Sequence, residues 1–187
     1  DQYGDSCEKC GSTYAPTDLK DPHCSICGTT PVLADSEHLF VALGQHEAVL
    51  RAWLNGGAKL QPSVRNYVMR WVDDGLRDWD ISRDAPYFGF EIPGYEGKKF
   101  FYVWFDAPVG YIGATQKWCD DHGRDAADYW RQASDAEIVH VIGKDILRFH
   151  CLFWPAMLHA AGYKTPSRVQ VHGWLTVNGE KMSKSRG

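Results

Sequence analysis

The sequence predicts an α/β chain built on a parallel sheet and headed by a short module with no core of its own. Three observations carry that reading. Apolar, β-type runs at 98–105, 137–142 and 168–177 alternate with stretches of helical length, the pattern of βαβ units. Residues 1 to about 35 are rich in Gly, Pro, Asp and Thr and show no periodic apolar face, so they need a staple. That segment also carries two Cys-x-x-Cys-Gly units, at Cys7 and Cys10 and at Cys24 and Cys27.

The bulk numbers agree with a globular protein. The 187 residues suffice for one domain or two small ones. A hydrophobic share of 44% with eight tryptophans demands a real core, because each indole buries a large apolar area. The net charge of -4 argues against a general basic coat, although a local basic patch is still able to meet RNA. No apolar run is long enough to span a bilayer and no signal-peptide pattern opens the chain, so a cytoplasmic setting is expected. Both ends read as cuts.

Each element has its reason. In the knuckles, two thiolates at Cys-x-x-Cys spacing bind one face of a tetrahedral ion, and the next glycine lets the backbone turn at positive φ. Thirteen residues separate the pairs, near the usual gap of four-cysteine zinc sites. One structural Zn2+ on Cys7, Cys10, Cys24 and Cys27 is the reading. Two disulfides or four free thiols are the others. His23 is not needed as a ligand. Cys119 and Cys151 read as small apolar groups.

From Gln45 to Asn55, Val49, Leu50, Trp53 and Leu54 mark a helical face that Gly56-Gly57 stops. Pro62-Ser63 opens a second helix with Val64, Tyr67, Val68, Trp71 and Val72, ending near Gly75, and the two are expected to pair as a hairpin. Alternation predicts a strand over Lys98 to Phe105, and Pro108 opens a helix running through Trp118. Glu137 to Ile142 is a second strand, which Gly143-Lys144-Asp145 turns into a long helix to about Ala161. Arg168 to Val177 is a third strand.

Two patterns carry chemistry. Lys181-Met182-Ser183-Lys184-Ser185 places two ammonium groups on a loop, which suits a polyphosphate whose charge shifts in the transition state; a solvated basic turn is the plain alternative. Ile146, Phe149, His150 and Phe153 share one helix face at i, i+3, i+4 and i+7, which a simple core stripe also explains. Asp145 at the helix start is also readable as an N-cap, and Arg83 as a surface ion pair with Asp80 or Asp84.

The lysine pentapeptide resembles the signature loop of class I aminoacyl-tRNA synthetases. With its flanks Val171-His172-Gly173-Trp174-Leu175 and Val177-Asn178-Gly179-Glu180 it is similar to the methionine-specific family. Trp79-Asp80-Ile81-Ser82-Arg83, Tyr102-Val103-Trp104-Phe105-Asp106-Ala107-Pro108-Val109-Gly110-Tyr111 and Ile142-Gly143-Lys144-Asp145-Ile146 resemble the same family, as do Phe149-His150 and Phe153-Trp154-Pro155-Ala156.

The resemblance implies the second half of a Rossmann-type nucleotide-binding domain with an N-terminal zinc-knuckle insertion. Residues 1–78 would be the connective insertion, 79–176 the half-domain and 177–187 the signature loop. It implies Trp79, Arg83, Trp104, Ala107, Pro108, Tyr111, Ile146 and His150 in a methionine pocket. ATP would meet Gly143, Asp145, His172, Gly173, Leu175 and Lys184, with Lys181 and Lys184 catalytic.

The implied activity is ATP-dependent formation of methionyl-adenylate and transfer to tRNA, with Mg2+ accompanying ATP. No two of the eight histidines lie three apart, so the family's paired-histidine motif is not in this chain. The first half of the nucleotide fold and an anticodon-binding domain are therefore expected elsewhere, and the chain alone is expected to be inactive or very weak. A non-catalytic zinc and RNA-binding module derived from such an enzyme is the rival from another class. A synthetase for another amino acid is the nearer one.

Overall fold

The computed structural model describes residues 16–24, 27–173, 176–177 and 180–181. The chain divides into two units, Asp1–Glu37 and His38–Gly187. In the first, the described residues hold one 3-10 turn, Pro16–Asp18, and a tight turn from Cys24 to Thr29.

The second unit opens with strand β1 (Phe40–Val41). A helical run follows: a 3-10 turn at Leu43–His46, helix α1 (Glu47–Ala52) and a π turn at Trp53–Gly57. Strand β2 (Lys59–Leu60) and helix α2 (Pro62–Asp73) come next. Proline starts α2 because its missing N–H is not needed in the first turn, and Gly75 leaves it at φ 91°. Strands β3 (Trp79–Asp80), β4 (Ser82–Asp84) and β5 (Lys99–Phe101) precede helices α3 (Val103–Asp106), α4 (Val109–His122) and α5 (Ala127–Trp130). Strand β6 (Val139–Gly143), helix α6 (Trp154–Ala160) and strand β7 (Arg168–His172) follow, then β8 (Thr176–Val177) and β9 (Glu180–Lys181).

The central sheet has the order β2-β7-β6, and both of its pairings are parallel, as the alternating pattern predicts. Gln61 extends the β2 side of that sheet. Its amide donates to the Val171 carbonyl at 2.8 Å and accepts from the Val171 N–H at 2.9 Å. The core gathers Leu50 and Leu54, Val68 and Val72 of α2, Ile142 of β6, Val169 of β7, and Leu147, Cys151 and Leu152. Each such side chain contributes about 1.5–3 kcal/mol by leaving water. Cys119 and Cys151 are buried, as small apolar groups should be.

The structure departs from the sequence reading at four places. The two helices of 43–73 share a core, but β2 lies between them in the chain and enters the sheet, so they are not a plain hairpin. The strand expected over 98–105 stops at Phe101, and Val103–Asp106 turn helical. Phe101, Val103 and Phe105 alternate with Tyr102 and Trp104 as a strand would, but of these only Phe101 stays in the strand. The turn after the strand lays Phe105 on Phe101, with centroids 5.3 Å apart.

The long helix after β6 is interrupted by a 3-10 turn at Lys144–Ile146 and a π turn at Phe149–Phe153. Pro155 causes the second: it lacks an N–H for the Cys151 carbonyl and its ring crowds that group, so the preceding turn widens. Finally, the strand expected over 168–177 ends at His172, and Thr176–Val177 pair instead with Glu180–Lys181.

Candidate functional site

Two parallel strands end side by side at the candidate nucleotide site. Gly143 of β6 is the register partner of His172 of β7, so Gly143, Asp145, His172 and Gly173 gather at the carboxyl ends of the strands. That is where ligands collect in open α/β sheets. Gly143 has a local reason to be glycine: a Cβ there would collide with the Asp145 carboxylate and touch the His172 ring at 3.6 Å. Asp145 is exposed and turned back over this glycine. The His172 ring N–H at Nδ1 donates to the Gly173 carbonyl at 2.8 Å. Lys181 reaches the structure through its backbone, paired with Thr176. Leu175 and Lys184 lie outside the described residues.

The aromatic residues form two linked groups. In one, Trp79 stacks on Phe153 with centroids 3.9 Å apart and meets Phe105 at 5.6 Å, while Trp104 stacks on Phe149 at 4.6 Å. In the other, the Tyr111 hydroxyl lies 2.9 Å from His150 Nε2, and His150 Nδ1 lies 3.1 Å from the Ile146 carbonyl. A carbonyl only accepts, so Nδ1 carries the proton and the Tyr111 O–H donates to Nε2. Burial disfavours the charged imidazole, and His150 is held neutral below the ordinary histidine range. Residues 149, 150 and 153 of the π turn join the two groups. Pro155 therefore shapes the site by widening the turn that presents His150.

Arg83 forms the ion pair with Asp80 that the sequence allowed, at 3.3 Å, and its guanidinium also lies 3.9 Å above the Tyr102 ring. It is fixed in place by both contacts. Pro108 is buried and caps α4.

Ala107 lines a groove of about 750 Å³ with Phe101, Val103, Phe105, Asp106 and Val109. This groove is walled by residues other than Trp104, Tyr111, Ile146 and His150. The groove borders the first aromatic group through Phe105. Asp106 Oδ1 is buried there without a hydrogen-bond partner among the described residues, and desolvation raises its pKa.

Sequence reasoning missed Asp106, His140 and Trp154. His140 carried a usable signal, since it interrupts the apolar strand Ile138-Val139-His140-Val141-Ile142 at an inward position. The Trp154 Nε1–H donates to His140 Nε2 at 3.2 Å. Desolvation pulls the His140 pKa down to about 4.

In the knuckle segment, Cys24 and Cys27 are free and exposed. Gly28 sits at φ 72° and its N–H bonds to the Cys24 carbonyl at 2.8 Å, the turn that a two-thiolate knuckle requires. The Cys27 sulfur lies 3.2 Å from the Thr29 hydroxyl, and hydrogen bonding from Thr29 favours its thiolate and lowers its pKa. This half fits a four-sulfur zinc site. Cys7 and Cys10, which would supply the other half, lie outside the described residues. No helix among the described residues is long and apolar enough to cross a membrane.

Comparison with known proteins gives a consistent picture. The family described as tRNA synthetases class I (M) matches residues 1–187. A structure of methionyl-tRNA synthetase from Mycobacterium tuberculosis bound by methionyl-adenylate is similar over 94% of this chain and 34% of its own, with 29% identity and a TM-score of 0.69. A second structure of that enzyme with methionyl-adenylate covers 93% of this chain at 29% identity, with TM-score 0.69. The free enzyme covers 93% of this chain and 35% of its own at 26% identity, with TM-score 0.66. The chain spans about a third of the length of these structures.

Proposed function

The chain belongs to the class I tRNA synthetases (M), and from that premise we propose that it is the part of a methionine-tRNA ligase that binds methionine and ATP. The observation that carries this is the convergence of Gly143, Asp145 and His172 at two parallel strand ends, with the Tyr111–His150 pair rooted in the helical turn that follows. The relatives of known structure hold methionyl-adenylate. In this reading the Asp145 carboxylate accepts from the ribose of ATP, and Gly143 leaves room above the strand end. Trp104, Ala107, Pro108, Tyr111, Ile146 and His150 take the methionine side chain, with Trp79 and Arg83 closing over it. Methionine offers no charge to grip, so a selective site must rely on aromatic walls and shape.

The chemistry needs no side-chain nucleophile. The methionine carboxylate attacks the α-phosphate and pyrophosphate leaves, so positioning and charge stabilisation suffice. Lys181 and Lys184 would stabilise the departing pyrophosphate, and Mg2+ accompanying ATP would share that charge. The methionyl group then passes to tRNA. The partners of this activity are the first half of the nucleotide fold and an anticodon-binding domain of the same enzyme.

Pyrophosphate exchange tests the proposal. The full-length protein should exchange with methionine and not with leucine or isoleucine, and the 187-residue chain alone should exchange little or not at all. Exchange driven better by leucine or isoleucine would reassign the substrate. No exchange in the full-length protein would favour a binding module.

We assign the knuckles to one structural Zn2+ held by Cys7, Cys10, Cys24 and Cys27, which closes the shell and supplies folding energy but no catalysis. Elemental analysis of reduced protein should give one zinc per chain. Cys24→Ser should free the metal and expose residues 1–35 to protease while the sheet persists, because the segment has almost no core to fall back on. Protein without metal, or a variant that loses the sheet signal as well, contradicts this assignment.

A further inference from the structure

We propose that His140 is a positioning residue for methionine recognition, aligning the Tyr111 ring from behind through its hydrogen bond to Trp154. This rests on the reading of Tyr111 and His150 as part of the methionine pocket. On β6 the inward positions are His140 and Ile142, while Val139 and Val141 are exposed. An inward strand position costs nothing to fill with valine or isoleucine, whereas a buried imidazole costs desolvation unless its nitrogens are used. One is used: the Trp154 indole is a donor only, so His140 Nε2 is the unprotonated acceptor and the ring is neutral.

The bond matters because of where it holds the ring. Tyr111 is 40% exposed, so its ring is held only in part by the core. Three rings hold it from behind: His140 at 5.0 Å, His150 at 5.9 Å and Trp154 at 6.2 Å. His140 meets His150 edge-on at 5.3 Å and bonds to Trp154, so it is the one ring touching both of the others. Trp154 is anchored in turn against Trp130 at 6.1 Å. Losing the acceptor at 140 leaves a buried indole N–H unpaired, and the shift needed to relieve it passes directly to Tyr111.

The test compares His140→Phe, which keeps a ring and removes the acceptor, with His140→Gln, which keeps an acceptor. In the full-length synthetase, His140→Phe should raise the methionine KM about tenfold, the scale of one buried hydrogen bond. Its kcat and ATP KM should stay within about twofold, and His140→Gln should recover most of the methionine KM. A His140→Phe enzyme with unchanged methionine KM, or with equal losses for both substrates, overturns the proposal. So does a His140→Gln enzyme no better than His140→Phe.

The unaltered chain gives a second measurement. Its Trp154 indole N–H should exchange with solvent far more slowly than an exposed indole, and exchange at the exposed rate overturns the proposal without any variant. The Trp104→Ala enzyme separates the two levels. If it loses methionine use selectively while His140→Phe does not, only the role of His140 falls. If it loses both substrates alike, the pocket reading falls and takes this proposal with it.

Discussion

Lys184→Ala in the full-length synthetase is expected to slow adenylate formation by about two to three orders of magnitude, the scale for losing one well-placed charge stabiliser. The reason lies in timing. Pyrophosphate gains charge only as it departs, so a lysine that meets it then lowers the barrier and adds little to ground-state binding. The hairpin β8–β9 carries the chain to this loop, with Lys181 paired to Thr176 at its base.

Affinity for methionine should change little, because the lysine acts on the phosphate side. Lys184→Arg should recover only part of the rate, since a planar guanidinium does not copy a compact ammonium. Pre-steady-state kinetics check this. If Lys184→Ala raised the dissociation constants for ATP and methionine and spared the chemical step, the assigned role would be wrong.

How much of this was legible beforehand depends on which interactions decide each element. The parallel sheet was readable because β6 and β7 carry apolar runs bounded by turn residues, separated by a stretch of helical length. Helix α2 was readable from Pro62 at its start and Gly75 at its end. The segment 98–105 was only half legible, because its alternation runs past Phe101 while the contacts of Trp104 with Phe149 and of Phe105 with Phe101 are made from a helical turn. Strand β2 has two residues and is defined by its partner β7, so nothing local announces it.

The site divides in the same way. Gly143 and Asp145 stood out as a turn, and the structure adds that a Cβ at 143 would displace the Asp145 carboxylate from its place over the strand end. His150 was legible by its spacing, yet its tautomer and its bond to Tyr111 depend on residues 39 positions apart in the chain. His140 carried a signal in its place within an apolar strand, but its partner was hidden, because Trp154 looks like an ordinary core position until His140 is placed beside it.

Trp104→Ala is the second large effect expected. The indole stacks on Phe149 at 4.6 Å and forms part of an aromatic wall with no polar group to compensate for its loss. Removing a large buried aromatic costs about 3–5 kcal/mol in a core. For a half-buried wall facing a ligand, the lower end of that range is the better guide, which corresponds to about a hundredfold in methionine use. ATP use should hold within a few-fold, because the change leaves the Gly143–Asp145 turn and the lysine loop untouched.

His150→Ala should act in the same direction through a different route. It removes the acceptor of the Tyr111 hydroxyl and frees that ring to turn. Steady-state KM and kcat for each substrate, measured on both variants, decide the matter. Equal losses for methionine and ATP would show that Trp104 and His150 are core residues whose removal loosens the whole domain, and the aromatic groups would then have no claim to be the methionine pocket.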